Sequence, residues 1–138
     1  MYVLKMIATT SVALTFFVVF SYLGPIAKGG IGVLLMNANL FFHLFIPIFS
    51  MITFAAFERN TKIKFKYTLF GILPSLLYEV YYLINILVHM ENNKVSATYD
   101  WYYFVQNGVN TSLIVAPMML LITYVISCAL WAINQKSK

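Results

Sequence analysis

Asn39 to Glu58 reads NLFFHLFIPIFSMITFAAFE. It closes an apolar run that starts at Ile31. The run 31–57 exceeds the roughly 20 residues that carry a helix across a bilayer, so it reads as a slightly long or tilted membrane span. Its interior is not wholly apolar. Asn39, His43 and Ser50 are spaced so that, at about 100° per residue, all three fall within roughly 40° of one another and give the helix one polar face. Pro47 lacks the N–H that would bond the carbonyl of His43, which predicts a kink and a free acceptor beside the imidazole. His43 is thus the candidate functional centre, with Asn39 and Ser50 as candidate substrate-binding groups beside it.

Composition points the same way. With 62% hydrophobic and 9% charged residues over 138 positions, the chain has too little polar surface to coat a soluble globule. Its mean hydropathy is +0.83. The formal charge of +5 lies mostly in one short loop and at the termini, where membrane topology puts cations, and forms no nucleic-acid face. Cys128 is alone, so no internal disulfide forms. No zinc spacing or phosphate loop occurs, and no cofactor or metal is expected.

From the N-terminus, 6–23 is an apolar stretch preceded by Lys5 and closed by Gly24-Pro25. Its length and the lack of an A-x-A site favour a first span over a signal peptide. Ser11, Thr15 and Tyr22 share one face, though serine and threonine in membrane helices commonly bond their own backbone four residues back. A Gly-rich connection, PIAKGGIG, leads into 31–57. RNTKIKFK follows at 59–66, and a third span at 67–89 carries Glu79 mid-helix. Thr68, Ser75, Glu79 and Tyr82 fall within about 60° on one face, with Pro74 predicting a second kink. A carboxyl facing lipid is costly, so this face is expected to turn inward, with Tyr82 as a third candidate substrate-binding group.

The connection 91–110 holds Lys94, Asp100 and the cluster Tyr99, Trp101, Tyr102, Tyr103, which reads as an interfacial aromatic belt or as a ligand lid. Asn110-Thr111-Ser112 matches a glycosylation acceptor at the lip of a span, a motif common by chance. A fourth span at 111–131 contains Pro117, Thr123, Ser127 and Cys128. The expected architecture is an all-α integral membrane protein, an antiparallel bundle of four transmembrane helices in a single domain. Lys5, Arg59, Lys62, Lys64, Lys66, Lys136 and Lys138 then share one side against Lys28 and Lys94, which puts both termini in the cytoplasm.

That topology permits a comparison of depth. His43 lies about 22 Å along its helix from Glu58, and Glu79 about 20 Å from Lys66, at 1.5 Å per residue. Antiparallel neighbours joined by a short loop bring the two to one level, where imidazole and carboxyl are expected to hydrogen-bond. A carboxylate there would fix the imidazole tautomer. The same pair would equally serve to hold two helices in register. Thr15, about 15 Å above Lys5, sits roughly 7 Å below His43 and is the local candidate nucleophile.

The series Leu14-Thr15-Phe16-Phe17, Gly24-Pro25, Asn39-x-x-x-His43-x-x-x-Pro47 and Glu58 resembles part of the androgen-induced fatty-acid-ester hydrolases, and more closely their uncharacterised prokaryotic membrane relatives. The resemblance covers the first 60 or so residues and continues loosely through the Tyr-rich third span and Asp100-Trp101-Tyr102. It implies a six-span bundle in which an intramembrane Thr and His cleave esters of hydroxy fatty acids. His43 matches the family's histidine. The eukaryotic hydrolases have their proline one residue later than Pro47, and their threonine falls in a span upstream of Met1. The chain would correspond to the last four of six spans.

Three functions follow from these readings. The first is a lipid-ester hydrolase, or a non-catalytic relative, with a buried His43/Glu79 centre and a fatty-acid ester as partner. The second is a small proton-coupled transporter or channel subunit working as a homo-oligomer. The third is an assembly partner whose interior polar groups only specify packing.

Overall fold

The computed structural model describes residues 1–27, 29–58, 61–92, 94–102, 105 and 109–136, the side chains of 109–112 excepted. Lys28, Arg59, Tyr103 and Lys138, with the side chains of Asn110, Thr111 and Ser112, lie outside the described residues. The described chain is all-helical apart from turns and one bridge between Glu91 and Lys94. Helix α1 runs Tyr2–Ile26, a short α2 Ile31–Leu34, α3 Phe41–Phe57, α4 Phe65–Val88 and α5 Val109–Gln135. Three stretches, Tyr2–Ile26, Phe65–Val88 and Leu113–Gln135, are long and apolar enough to cross a membrane. Phe41–Phe57 is apolar but shorter.

The expected continuous helix over 31–57 is therefore broken. Helix α2 stops at Leu34, and Asn37 takes a left-handed φ of 54° before the chain re-enters a helix. Asparagine reaches that region more readily than other residues with a Cβ, because its short polar side chain bonds locally. The MNAN tetrapeptide at 36–39 thus ends one helix and starts another inside what reads as one apolar run.

Nor does Pro25 close α1 at residue 23. Five-residue π-turns at Val19–Leu23 and Phe41–Phe45 each stand just ahead of a proline. The N–H of Gly24 donates to the Val19 carbonyl, and that of Ile46 to the Phe41 carbonyl. Proline lacks the donor that closes the next α-turn, and the wider turn before it lets the helix continue past Pro25 and Pro47. In α4 the chain starts as 3₁₀ over Phe65–Ile72 and becomes α-helical at Leu73–Val88, with Pro74 in the first α-turn.

The helices pack through small and polar residues, while large apolar side chains point out. Thr10, Thr68, Thr123 and Ser127 are each fully buried, whereas Leu77 and Leu113 are each 70% exposed. Gly71 lets α4 and α5 approach closely, since a Cβ there would lie 2.4 Å from Ser127 Oγ, which itself donates to the Thr68 carbonyl at 2.8 Å. Close backbone approach at small residues, with hydroxyls satisfied by carbonyls, is how helices associate in lipid.

One end of the molecule is tied by polar contacts. Lys5 of α1 pairs with Glu58, just past α3. Asn134 of α5 accepts from the Ile63 N–H at 2.8 Å and donates to the carbonyls of Glu58 at 2.5 Å and Thr61 at 3.0 Å. Lys62 donates to the carbonyls of Asn134 and Gln135. The start of α1, the α3–α4 connection and the end of α5 therefore meet.

Candidate functional site

Helices α1, α3, α4 and α5, the segment ahead of α3 and a loop line a cavity of about 560 Å³ at the opposite half of the molecule, α5 through Met119. Helix α1 contributes Ser11, Thr15 and its π-turn residues Val19 and Leu23. Leu34, Asn39 and His43 come from the broken segment ahead of and within α3. Helix α4 supplies Ser75, Tyr78, Glu79 and Tyr82, and the following loop supplies Trp101 and Tyr102. Both π-turns thus border the cavity, a placement that widened turns often have at functional sites.

His43 owes its orientation to the break that precedes it. Its Nδ1 lies 2.9 Å from the carbonyl of Leu34, the last residue of α2. A helix end leaves its final carbonyls without intrahelical partners, and the imidazole satisfies this one. A carbonyl only accepts, so Nδ1 carries the proton and Nε2 of the neutral ring is left as the base. The expected hydrogen bond from His43 to Glu79 is absent: the Leu34 carbonyl takes the tautomer-fixing role assigned to the carboxylate. The two residues do line one cavity.

On α4, Thr68, Ser75, Glu79 and Tyr82 are all buried, at 8% exposure or less, so the polar face turns inward. Ser75 Oγ and Glu79 Oε1 are buried without any hydrogen-bond partner. Buried polar atoms are otherwise satisfied in folded proteins, and two orphans one helical turn apart on a cavity wall mark a place for a ligand or water. Thr15 lines the cavity, yet its hydroxyl leans back to the Ser11 carbonyl at 3.4 Å, as Ser11 does to Ile7 at 3.0 Å. Asn39 stands at the rim, exposed.

Ser50 is not part of this cavity. It borders a shallow outer depression with Phe45, Phe49 and Ile52. The π-turn at Phe41–Phe45 adds one residue to a turn and rotates everything after it by about 100°, which breaks the helical arithmetic that linked Ser50 to His43.

Trp101 and Tyr102 of the aromatic loop wall one side of the cavity. Asp100 is buried and accepts from the Tyr82 hydroxyl at 2.5 Å and from the Val105 N–H at 3.0 Å. Trp101 Nε1–H donates to the Tyr78 hydroxyl at 3.0 Å, and that hydroxyl donates to Tyr102 at 3.3 Å. Burial, and then the bond from Tyr78, push the Tyr102 phenol above its ordinary range. His89 stacks on Tyr99 with ring centroids 3.6 Å apart. Sequence reasoning finds the aromatic cluster with its lid reading and the inward face that carries Ser75, but misses that Tyr78 joins the site and that Asp100 fastens the loop. The signal was an acid flanked by aromatics in a loop, facing a tyrosine pair four residues apart on α4.

Among the described residues, no group of three or more His, Cys, Asp or Glu side chains is placed to hold a metal ion. Compared with protein-family models, curated proteins and solved structures, the chain matches none.

Proposed function

We propose that the chain is a multi-pass membrane protein that binds a lipid-class amphiphile in this cavity and hydrolyses its ester bond, with His43 as general base. Four crossings are assigned: α1, α3 with the broken segment ahead of it, α4 and α5. The cation distribution along the sequence puts both termini and the α3–α4 connection on the cytoplasmic side. A largely apolar cavity of a few hundred Å³ with a few convergent polar groups has the character of a small-molecule site.

The observation that carries the reading is His43 with its Nδ1 proton held by the Leu34 carbonyl, in the same cavity as the unpartnered Glu79 and Ser75. In that arrangement Nε2 takes the proton of an attacking water as its oxygen adds to the ester carbonyl; the adduct then collapses, the ester C–O bond breaks, and the imidazolium returns the proton to the departing alkoxide, giving acid and alcohol. If the Thr15 hydroxyl attacks instead, the same steps leave an acyl-threonine that a water, deprotonated by Nε2, hydrolyses. Ser75 holds the water or the ester's polar end, and Glu79 accepts from that water. Thr15 serves as nucleophile only if its hydroxyl leaves the Ser11 carbonyl.

The purified protein should therefore release nitrophenol from a p-nitrophenyl decanoate substrate, and His43→Ala should lower that rate at least about 100-fold, the usual range for loss of a general base. Undiminished turnover in His43→Ala would reject the histidine as base. A second reading is favoured by Glu79 having no protein partner: a mid-span carboxyl of that kind suits a proton-coupled carrier. It is separated by the same variant, since pH-driven flux in proteoliposomes would then survive the loss of His43.

A further inference from the structure

The cavity has a sharply one-sided chemistry. Among the described residues no Lys or Arg lines it, and its ionisable groups apart from tyrosines are His43 and Glu79. Lys5 and Lys62 are engaged at the other end, with Glu58 and with the end of α5. Among the described residues, a carboxylate or phosphate head entering the cavity would meet no lysine or arginine. An ammonium would meet a counter-charge: Glu79 is only 8% exposed, and its Oε1 has no partner. An ionised carboxyl in such surroundings needs a cation.

The wall beside Glu79 fits the same ligand. Tyr78, Tyr82, Trp101 and Tyr102 all line the cavity, with the Tyr82 ring centroid 5.0 Å from Trp101 and 5.4 Å from Tyr102. Their polar tips are turned to protein: Tyr82 donates to Asp100, Trp101 to Tyr78, and Tyr78 to Tyr102. What this wall offers a ligand is mainly its π-systems. Aromatic faces beside a carboxylate attract alkylated ammonium groups, whose charge is too diffuse to demand hydrogen bonds.

We propose that the cavity receives the head of a lipophilic organic cation, an amine or quaternary ammonium, with Glu79 as counter-charge and the Tyr78, Tyr82, Trp101 and Tyr102 rings as the wall it packs against. This rests on the amphiphile-binding reading of the site and is independent of whether the ester chemistry occurs.

The test is equilibrium binding of radiolabelled tetraphenylphosphonium to the full chain in dodecyl maltoside, with isosteric tetraphenylborate as the anionic control. The expected result is saturable binding of the cation above empty micelles and none of the anion. Glu79→Gln should weaken the cation at least about tenfold, and Tyr78→Leu about threefold, the size of one exposed cation–π contact. Leu77→Ala, on the 70% exposed outer face of α4, should leave binding within about twofold, and a wild type that binds the cation but turns over no ester would fault the ester chemistry and not the head-group assignment. No saturable binding by the wild type, equal binding of both ions, or undiminished binding in a monodisperse Glu79→Gln protein would overturn it.

Discussion

Single side chains set the site through groups that are not themselves reactive. The Leu34 carbonyl decides which nitrogen of His43 keeps its proton, and it is available only because α2 ends there. Asp100 plays the matching role above. Both of its oxygens are used, one by the Tyr82 hydroxyl and one by the Val105 N–H. Asp100→Asn keeps the shape but turns one acceptor into a donor that faces another donor. It is expected to lower the unfolding free energy in detergent by about 1–3 kcal/mol, the cost of a buried polar group left unpaired. Denaturant titration of the two proteins measures this, and an unchanged midpoint and slope would show that the carboxylate does not fasten the loop.

At the scale of elements, the α4–α5 seam depends on Gly71. A methyl group there would meet Ser127 Oγ at 2.4 Å and Ser127 Cβ at 2.8 Å, neither at the end of a long flexible chain. Gly71→Ala should destabilise the protein by about 1–3 kcal/mol through overpacking, although alanine is the better helix former. Gly32→Ala, with nothing within 4 Å, serves as the control. Equal stability of the two variants would mean the seam has slack. The same scale explains what the sequence could and could not convey. Hydrophobic length located α1, α4 and α5, and periodicity on α4 correctly turned Ser75, Glu79 and Tyr82 inward, because that part of the helix is regular. Periodicity failed across 31–50, where Asn37 breaks the run and a π-turn before Pro47 rotates Ser50 away from His43. Such features leave the apolar pattern intact while changing the angle per residue. The His43–Glu79 contact failed for the same reason: depth placed both at the cavity, but the Leu34 carbonyl that occupies the imidazole belongs to a helix end with no mark in the hydropathy.

Over the whole molecule, polarity runs inward. Buried threonines, serines and an asparagine join the helices, a cavity with unpartnered Ser75 and Glu79 sits among them, and large apolar side chains cover the outside. That distribution is consistent with helices that face acyl chains. The account stands on a wet or ligand-filled cavity enclosed by helices that face lipid. It is tested most directly by thiol reactivity in liposomes, on a Cys128→Ser background, with a small methanethiosulfonate ammonium reagent. Glu79→Cys places a thiol in the cavity, and Leu77→Cys places one on the 70% exposed outer face of the same helix. Thiols react as thiolates, which form in water and not among acyl chains, so Glu79→Cys should react at least about tenfold faster than Leu77→Cys. Equal rates, or a faster reaction at Leu77→Cys, would contradict it.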